Sequence, residues 1–174
     1  MEVLICRHGD ALSPEQTDTM RLSDDERPLT DKGRRQTRAA AAGLRHLLGE
    51  DRIGHVLVSP LLRARQTAEI LRDYLDDPVT DESEALTPAA GVEAVDAALH
   101  ACAGTERLLL VGHEPDLALW LSWSLTRKHE RVTKFSKNGA ALVDFPGVAE
   151  GGTGTLRWLL TGAQLRASGP MTAG

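Results

Sequence analysis

Residues 3–9 read VLICRHG: an apolar run stops on an arginine and a histidine side by side, and a glycine follows at once. A short continuous apolar run is the pattern of a strand covered on both faces. Val3 to Cys6 therefore predicts a buried strand with Arg7 and His8 at its carboxyl end. The same event recurs twice further on. VLVS (56–59) runs into a helix with Arg63 on its first turn, and LLLVG (108–112) ends in His113. In an open parallel sheet such strand ends share one edge, which is where ligands bind. Two arginines and two histidines are thus expected to meet there.

The segments between these strands carry helical periodicity. From about Thr30 to Leu48, the residues Ala40, Leu44, Leu47 and Leu48 share a face, and Gly49 supplies a stop. Leu61, Ala64, Ala68, Leu71 and Leu75 mark a second helix, with Ser59 expected as N-cap and Pro60 at its first position. Val92, Val95, Leu99 and Cys102 mark a third, and Leu117, Trp120, Leu121 and Leu125 a fourth opened by Pro115. AALVDF and TLRWLL add two strand-like runs, while SPEQTDTMRLSDDER reads as a long functional loop. This alternation predicts an α/β fold of three layers, a mostly parallel central sheet flanked by helices. A single domain is expected over residues 1–162, with residues 163–174 a flexible C-terminal tail.

Composition narrows the function. The 174 residues, 41% of them hydrophobic, suit one domain with a sizeable core. A formal net charge of −5 disfavours a nucleic-acid binder, so any phosphate chemistry must use a local positive pocket. No apolar stretch approaches the roughly twenty residues of a membrane span, and no secretory leader is evident. Cys6 and Cys102 lack metal or redox spacing and read as free thiols, which makes the cytoplasm the expected location.

The cluster has a chemical use. Guanidinium forks match phosphoryl oxygens, and a neutral imidazole is a competent nucleophile that divides one displacement into two. Arg7 and Arg63 can supply the charge neutralisation that phosphoryl transfer requires, without a metal or other cofactor. Gly9 is expected to let the backbone approach the ligand closely.

At these residues the chain resembles the histidine phosphatase superfamily, whose fold is called phosphoglycerate mutase-like. RHGDA at 7–11, RPLTDKG at 27–33, VLVSPLLRARQT at 56–67, LTP at 86–88 and VGHEP at 111–115 resemble, in content and order, its SixA-like phosphohistidine phosphatases. The resemblance implies that His8 is phosphorylated, that Arg7 and Arg63 hold the phosphoryl group, and that His113 donates a hydrogen bond to it. It also implies that no metal takes part, and that Asp24 and Arg27 lean over the phosphate. Broader members carry a glutamate acid where this chain has DESEALTPAAG, so Asp24 and Glu84 are the candidate proton donors.

The implied activity is a phosphohistidine phosphatase acting on a phosphorylated protein, such as a histidine-containing phosphotransfer domain, and releasing inorganic phosphate. A phosphatase for a small phosphate ester or phosphoramidate is the alternative on the same machinery. A non-catalytic phosphate-binding module is the alternative of another class, and a metallohydrolase built on His8, Asp10 and His113 lacks a ligand motif. His46, His55, His100 and His129 have no partner at a signature position. The basic stretch TRKHERVTKFSKNG reads as ordinary surface in preference to a rim for an acidic partner.

Overall fold

A computed structural model describes residues 1–169. Its centre is a six-stranded sheet built from β1 (Glu2–Arg7), β2 (His55–Val58), β3 (Val79–Glu82), β4 (Arg107–Gly112), β5 (Ala140–Asp144) and β6 (Thr155–Leu160). The spatial order is β3-β2-β4-β1-β5-β6. β1 pairs in parallel with β4, and β2 with both β3 and β4; β5 alone is reversed, antiparallel to β1 and β6.

Side-chain alternation sends each strand into two cores. Val3 and Ile5 of β1, with Leu108 and Leu110 of β4, face α4 (Val92–Ala101) and α5 (Asp116–Thr126). Leu4, Cys6, Leu109 and Val111 face α2 (Asp31–Leu48), α3 (Leu62–Arg72) and α6 (Gly162–Ser168). The three-layer α/β arrangement expected from the sequence is the one observed. Among the described residues, no helix is long and apolar enough to cross a membrane.

Several local expectations need correction. Leu47 is 43% exposed, because Gly33, Thr37, Ala41 and Gly43 turn inward on α2 with Ala40, Leu44 and Leu48. Ser59 does not cap α3; the helix begins two residues later than that expectation, after Leu61, and has no side-chain cap. The polar stretch contains a short helix, α1 (Pro14–Met20), closed by a capping box between Ser13 and Gln16. Cys102 is only half-buried, whereas Cys6 is fully enclosed and its thiol is pushed up to about 12 by burial.

The expected loose tail is wrong for residues 163–168, which belong to α6. Thr161 and Gln164 form its capping box, and Leu165 is buried against α2. The fit is tight, since a Cβ on Gly43 would stand 1.7 Å from the Leu165 carbonyl oxygen. The rest of that expectation, residues 170–174, lies outside the described residues.

Candidate active site

The carboxyl ends of β1, β2 and β4 lie side by side: Arg7 is level with Gly112, and Val58 with Val111. Because β5 is reversed, its beginning reaches the same edge, where the Arg7 amide donates to the Gly139 carbonyl at 3.0 Å. A pocket of about 460 Å³ opens there, lined by Arg7, His8, Arg27, Arg63, His113 and Lys137 together with the carboxylates Asp10 and Glu114. The structure thus brings together the four residues that the sequence nominated, with Arg27 beside them.

Proton positions follow from hydrogen bonding. His8 Nδ1 lies 2.7 Å from the Gly9 carbonyl oxygen, which can only accept. Nδ1 therefore carries the proton, and Nε2 keeps its lone pair. His113, whose ring centroid is 5.0 Å away, has the opposite polarity. Its Nε2 meets Ser59 Oγ at 2.8 Å, while that oxygen already accepts from the Leu61 amide at 3.4 Å. Among the described residues the serine O–H has no other acceptor, so it donates to Nε2, and His113 Nδ1, which carries the ring proton, is buried without a partner there. The two rings are thus anchored through opposite nitrogens, His8 by Nδ1 and His113 by Nε2.

The arginines are held from behind. Arg7 Nη1 donates to the Phe135 carbonyl at 2.8 Å. Arg63 donates through Nη1 to the Asp24 carbonyl at 2.7 Å and through Nη2 to Asp24 Oδ2 at 2.9 Å, and Arg27 Nη2 pairs with Oδ1 at 3.0 Å. Among the described residues, the Nε of all three arginines is buried with no partner. Unpaired buried donors are costly, and the three arginines that carry them all line the same pocket, a local concentration of positive charge suited to an anion. Burial pulls the Arg7 and Arg63 guanidinium groups downward, opposed by Glu114 and Asp24 respectively.

Three expectations change at this point. Gly9 is not among the residues lining the pocket, and a Cβ there would meet Thr37 Oγ1 at 2.5 Å and Asn138 Oδ1 at 3.0 Å. The glycine is required by packing behind His8, where its amide also donates to Thr67 Oγ1 at 3.0 Å. Both Asp24 oxygens face guanidinium groups, of Arg63 and of Arg27, which fits an orienting role. Glu84 lies outside the pocket, in a neighbouring hollow with Asp24, Asp25, Thr87 and Pro88.

A family model for the histidine phosphatase superfamily (branch 1) matches residues 3–86. The chain is 36% identical over 169 residues to the phosphohistidine phosphatase SixA of Escherichia coli (strain K12), covering 95% of this chain and 97% of that protein. The chain belongs to the histidine phosphatase superfamily. Among solved structures, this histidine phosphatase is similar to the protein histidine phosphatase SixA complexed with tungstate. That match has 34% identity and a TM-score of 0.78, over 95% of this chain and 99% of that one. A phosphoglycerate mutase from Plasmodium falciparum shares the fold at 17% identity and a TM-score of 0.62, over 90% and 88% of the two chains. As a member of the superfamily the chain is a phosphatase, a hydrolase of phosphorylated substrates.

Sequence reasoning missed Ser59 as the partner of His113, Glu114 as a pocket carboxylate, and the tie between Phe135 and Arg7. Glu114 could have been found, since it directly follows His113. The Phe135 carbonyl carries no side-chain signal at all.

Burial, then the neighbouring His113, pushes the His8 imidazole down to about 2; burial, then Arg63, pushes His113 down to about 3. Both are neutral in the folded protein and titrate near 6.5 when unfolded. Below that value the unfolded chain binds more protons, so this contribution to stability is complete above about pH 6.5 and is lost as the pH falls toward the folded values. Urea midpoints should therefore decline from pH 7 to 5.5, less steeply in His113→Ala. A midpoint that rises toward acid would show that the imidazoles are charged in the fold.

Proposed function

We propose that this histidine phosphatase removes phosphate from histidine-phosphorylated proteins through a covalent phosphohistidine on His8, without a metal. The observation that carries the reading is the His8 Nδ1–H bond to Gly9, which leaves Nε2 free beside Arg7, Arg63 and His113. Similarity to SixA, which is named a phosphohistidine phosphatase, supports the substrate class.

In the first step His8 Nε2 forms a bond to phosphorus as the substrate's P–N bond breaks. The departing imidazole takes that electron pair, its other ring nitrogen having been protonated from solvent. Arg7, Arg63 and His113 Nδ1–H neutralise charge on the phosphoryl oxygens. Because His8 keeps its Nδ1 proton on the Gly9 carbonyl, the phosphorylated ring is an imidazolium. In the second step water bonds to phosphorus, the P–Nε2 pair returns to a neutral imidazole, and the water's proton passes to the phosphate. His8 therefore leaves without an acid.

The pocket carboxylates Asp10 and Glu114 favour a second reading, a phosphatase for small phosphomonoesters or phosphoramidates, because an alkoxide needs a proton donor. Turnover in EDTA of a phosphorylated histidine-containing phosphotransfer domain, beside aryl and alkyl phosphates, separates the two. Phosphohistidine should lead, with rates falling steeply from aryl to alkyl esters. A flat series with efficient alkyl hydrolysis would establish the second reading, and activity restored only by added Zn²⁺ or Mn²⁺ would reject the metal-free mechanism.

A further inference from the structure

The chain as a whole has 25 acidic against 20 basic residues, yet residues 127–137 hold five Lys or Arg and one Glu. This basic strap leaves the end of α5, where Arg127 packs against Gly152 of the β5–β6 turn at the far edge of the sheet, and returns to the pocket wall at Lys137. It is also fixed in place. The Phe135 ring is buried in the α4–α5 core, its amide donates to Glu114 Oε1 at 2.8 Å, and its carbonyl accepts from Arg7. Lys137 pairs with Asp10 at the pocket wall, and the Asn138 amide donates to the Arg7 carbonyl at 3.2 Å.

Two of its cations are used internally: Arg131 stands 3.7 Å from Glu114, and Lys137 is held by Asp10. Among the described residues, Arg127, Lys128 and Lys134 have no carboxylate within ion-pair distance, and all three are exposed. None of the three lines the pocket, so a ligand confined to it leaves them unmatched. Unpaired like charges on one segment cost self-repulsion in the free protein, which an anionic surface laid along it relieves. Nucleic acid fits poorly, because the surrounding charge is negative and the basic surface is one short segment.

We propose that the strap at residues 127–137 is a docking surface for an acidic polypeptide face flanking the phosphohistidine of the substrate protein. This rests on the protein-substrate reading above. Arg127, Lys128 and Lys134 meet the partner's carboxylates while Lys137 borders both strap and pocket. Charge at such a rim acts mainly on association rate and partner choice and weakens with salt.

The test uses two short histidine peptides, one flanked by Asp and Glu and one by Ser and Gln, each phosphorylated with potassium phosphoramidate. The enzymes are the wild type and a triple variant, Arg127→Glu, Lys128→Glu and Lys134→Glu. The triple variant should lose about tenfold in kcat/KM on the acidic peptide, with KM moving more than kcat, and the wild-type advantage of that peptide should vanish at high salt. The neutral peptide and p-nitrophenyl phosphate should be turned over equally by both enzymes, which also certifies the fold. Equal losses on both peptides, or none on the acidic one, overturn the proposal. Binding of the same peptides without phosphate gives a reading independent of turnover. Weaker binding of only the acidic peptide by the triple variant supports the strap even if phosphohistidine is not hydrolysed, in which case the substrate reading alone fails; unchanged binding overturns it.

Discussion

His8→Ala is expected to take up no phosphoryl label and to lose at least about 10⁴-fold in turnover, the scale on which removal of a covalent nucleophile acts. Wild-type enzyme mixed with labelled substrate and quenched without acid should carry the label on His8, stable in base and lost in acid as a phosphoramidate requires. The variant should still fold. The deleted ring borders an open pocket, and among the described residues its only hydrogen bond is the one to the Gly9 carbonyl, worth about 1 kcal/mol. His113→Ala gives the contrasting result, because it removes a donor and not the bond-forming atom: label should still accumulate on His8, more slowly. Label retained by His8→Ala would place the nucleophile elsewhere and end the covalent mechanism proposed here.

Arg63→Ala is expected to lower kcat by 10²- to 10³-fold, roughly 3 to 4 kcal/mol, the cost typical of deleting one electrostatic donor at a reacting centre. Structure should suffer little. The partner left behind, Asp24, has a side chain 59% exposed, so water replaces the guanidinium there. The loss should therefore appear in kcat with only a small change in melting temperature. Arg63→Lys should recover little, because a single ammonium cannot grip the Asp24 carbonyl and carboxylate and still face the pocket. A lysine variant within tenfold of wild type would show that charge alone, and not the fork, is what the site uses.

The parts of the fold legible in the sequence were those with a strong period. β1, β2 and β4 are buried on both faces and appear as unbroken apolar runs, and Leu61, Ala64, Ala68, Leu71 and Leu75 all reach the core as their spacing demands. The site was legible where a chemical side chain follows such a strand directly, as Arg7, His8 and His113 do. It was illegible where main-chain atoms or reversed topology took over. Ser59 looked like a helix cap because Pro60 follows it, but the chain stays extended to Leu61 and frees the hydroxyl for His113. α1 and α6 are short helices defined by their capping boxes and one or two buried side chains each, too little for periodicity to register. Gly9 was assigned to the ligand because a glycine beside a histidine suggests close approach, whereas the space it vacates belongs to Thr37 and Asn138.

The reversal of β5 has a consequence for how such a protein can diversify. The other lining residues lie at the ends of parallel strands or in the connections and helices that follow them, so changing the chain length there disturbs a crossover and the layer packed upon it. The segment entering β5 arrives from the opposite direction, fastened at Phe135 and again at Asn138 and Gly139. Between Thr126 at the end of α5 and Phe135 the chain is tied down by the Val132 amide on Ser122 Oγ and by Arg131 beside Glu114, while Arg127, Lys128 and Lys134 stay exposed. Those exposed positions can change sign while His8 and its arginines stay where they are. They are the place to graft a new specificity onto this scaffold.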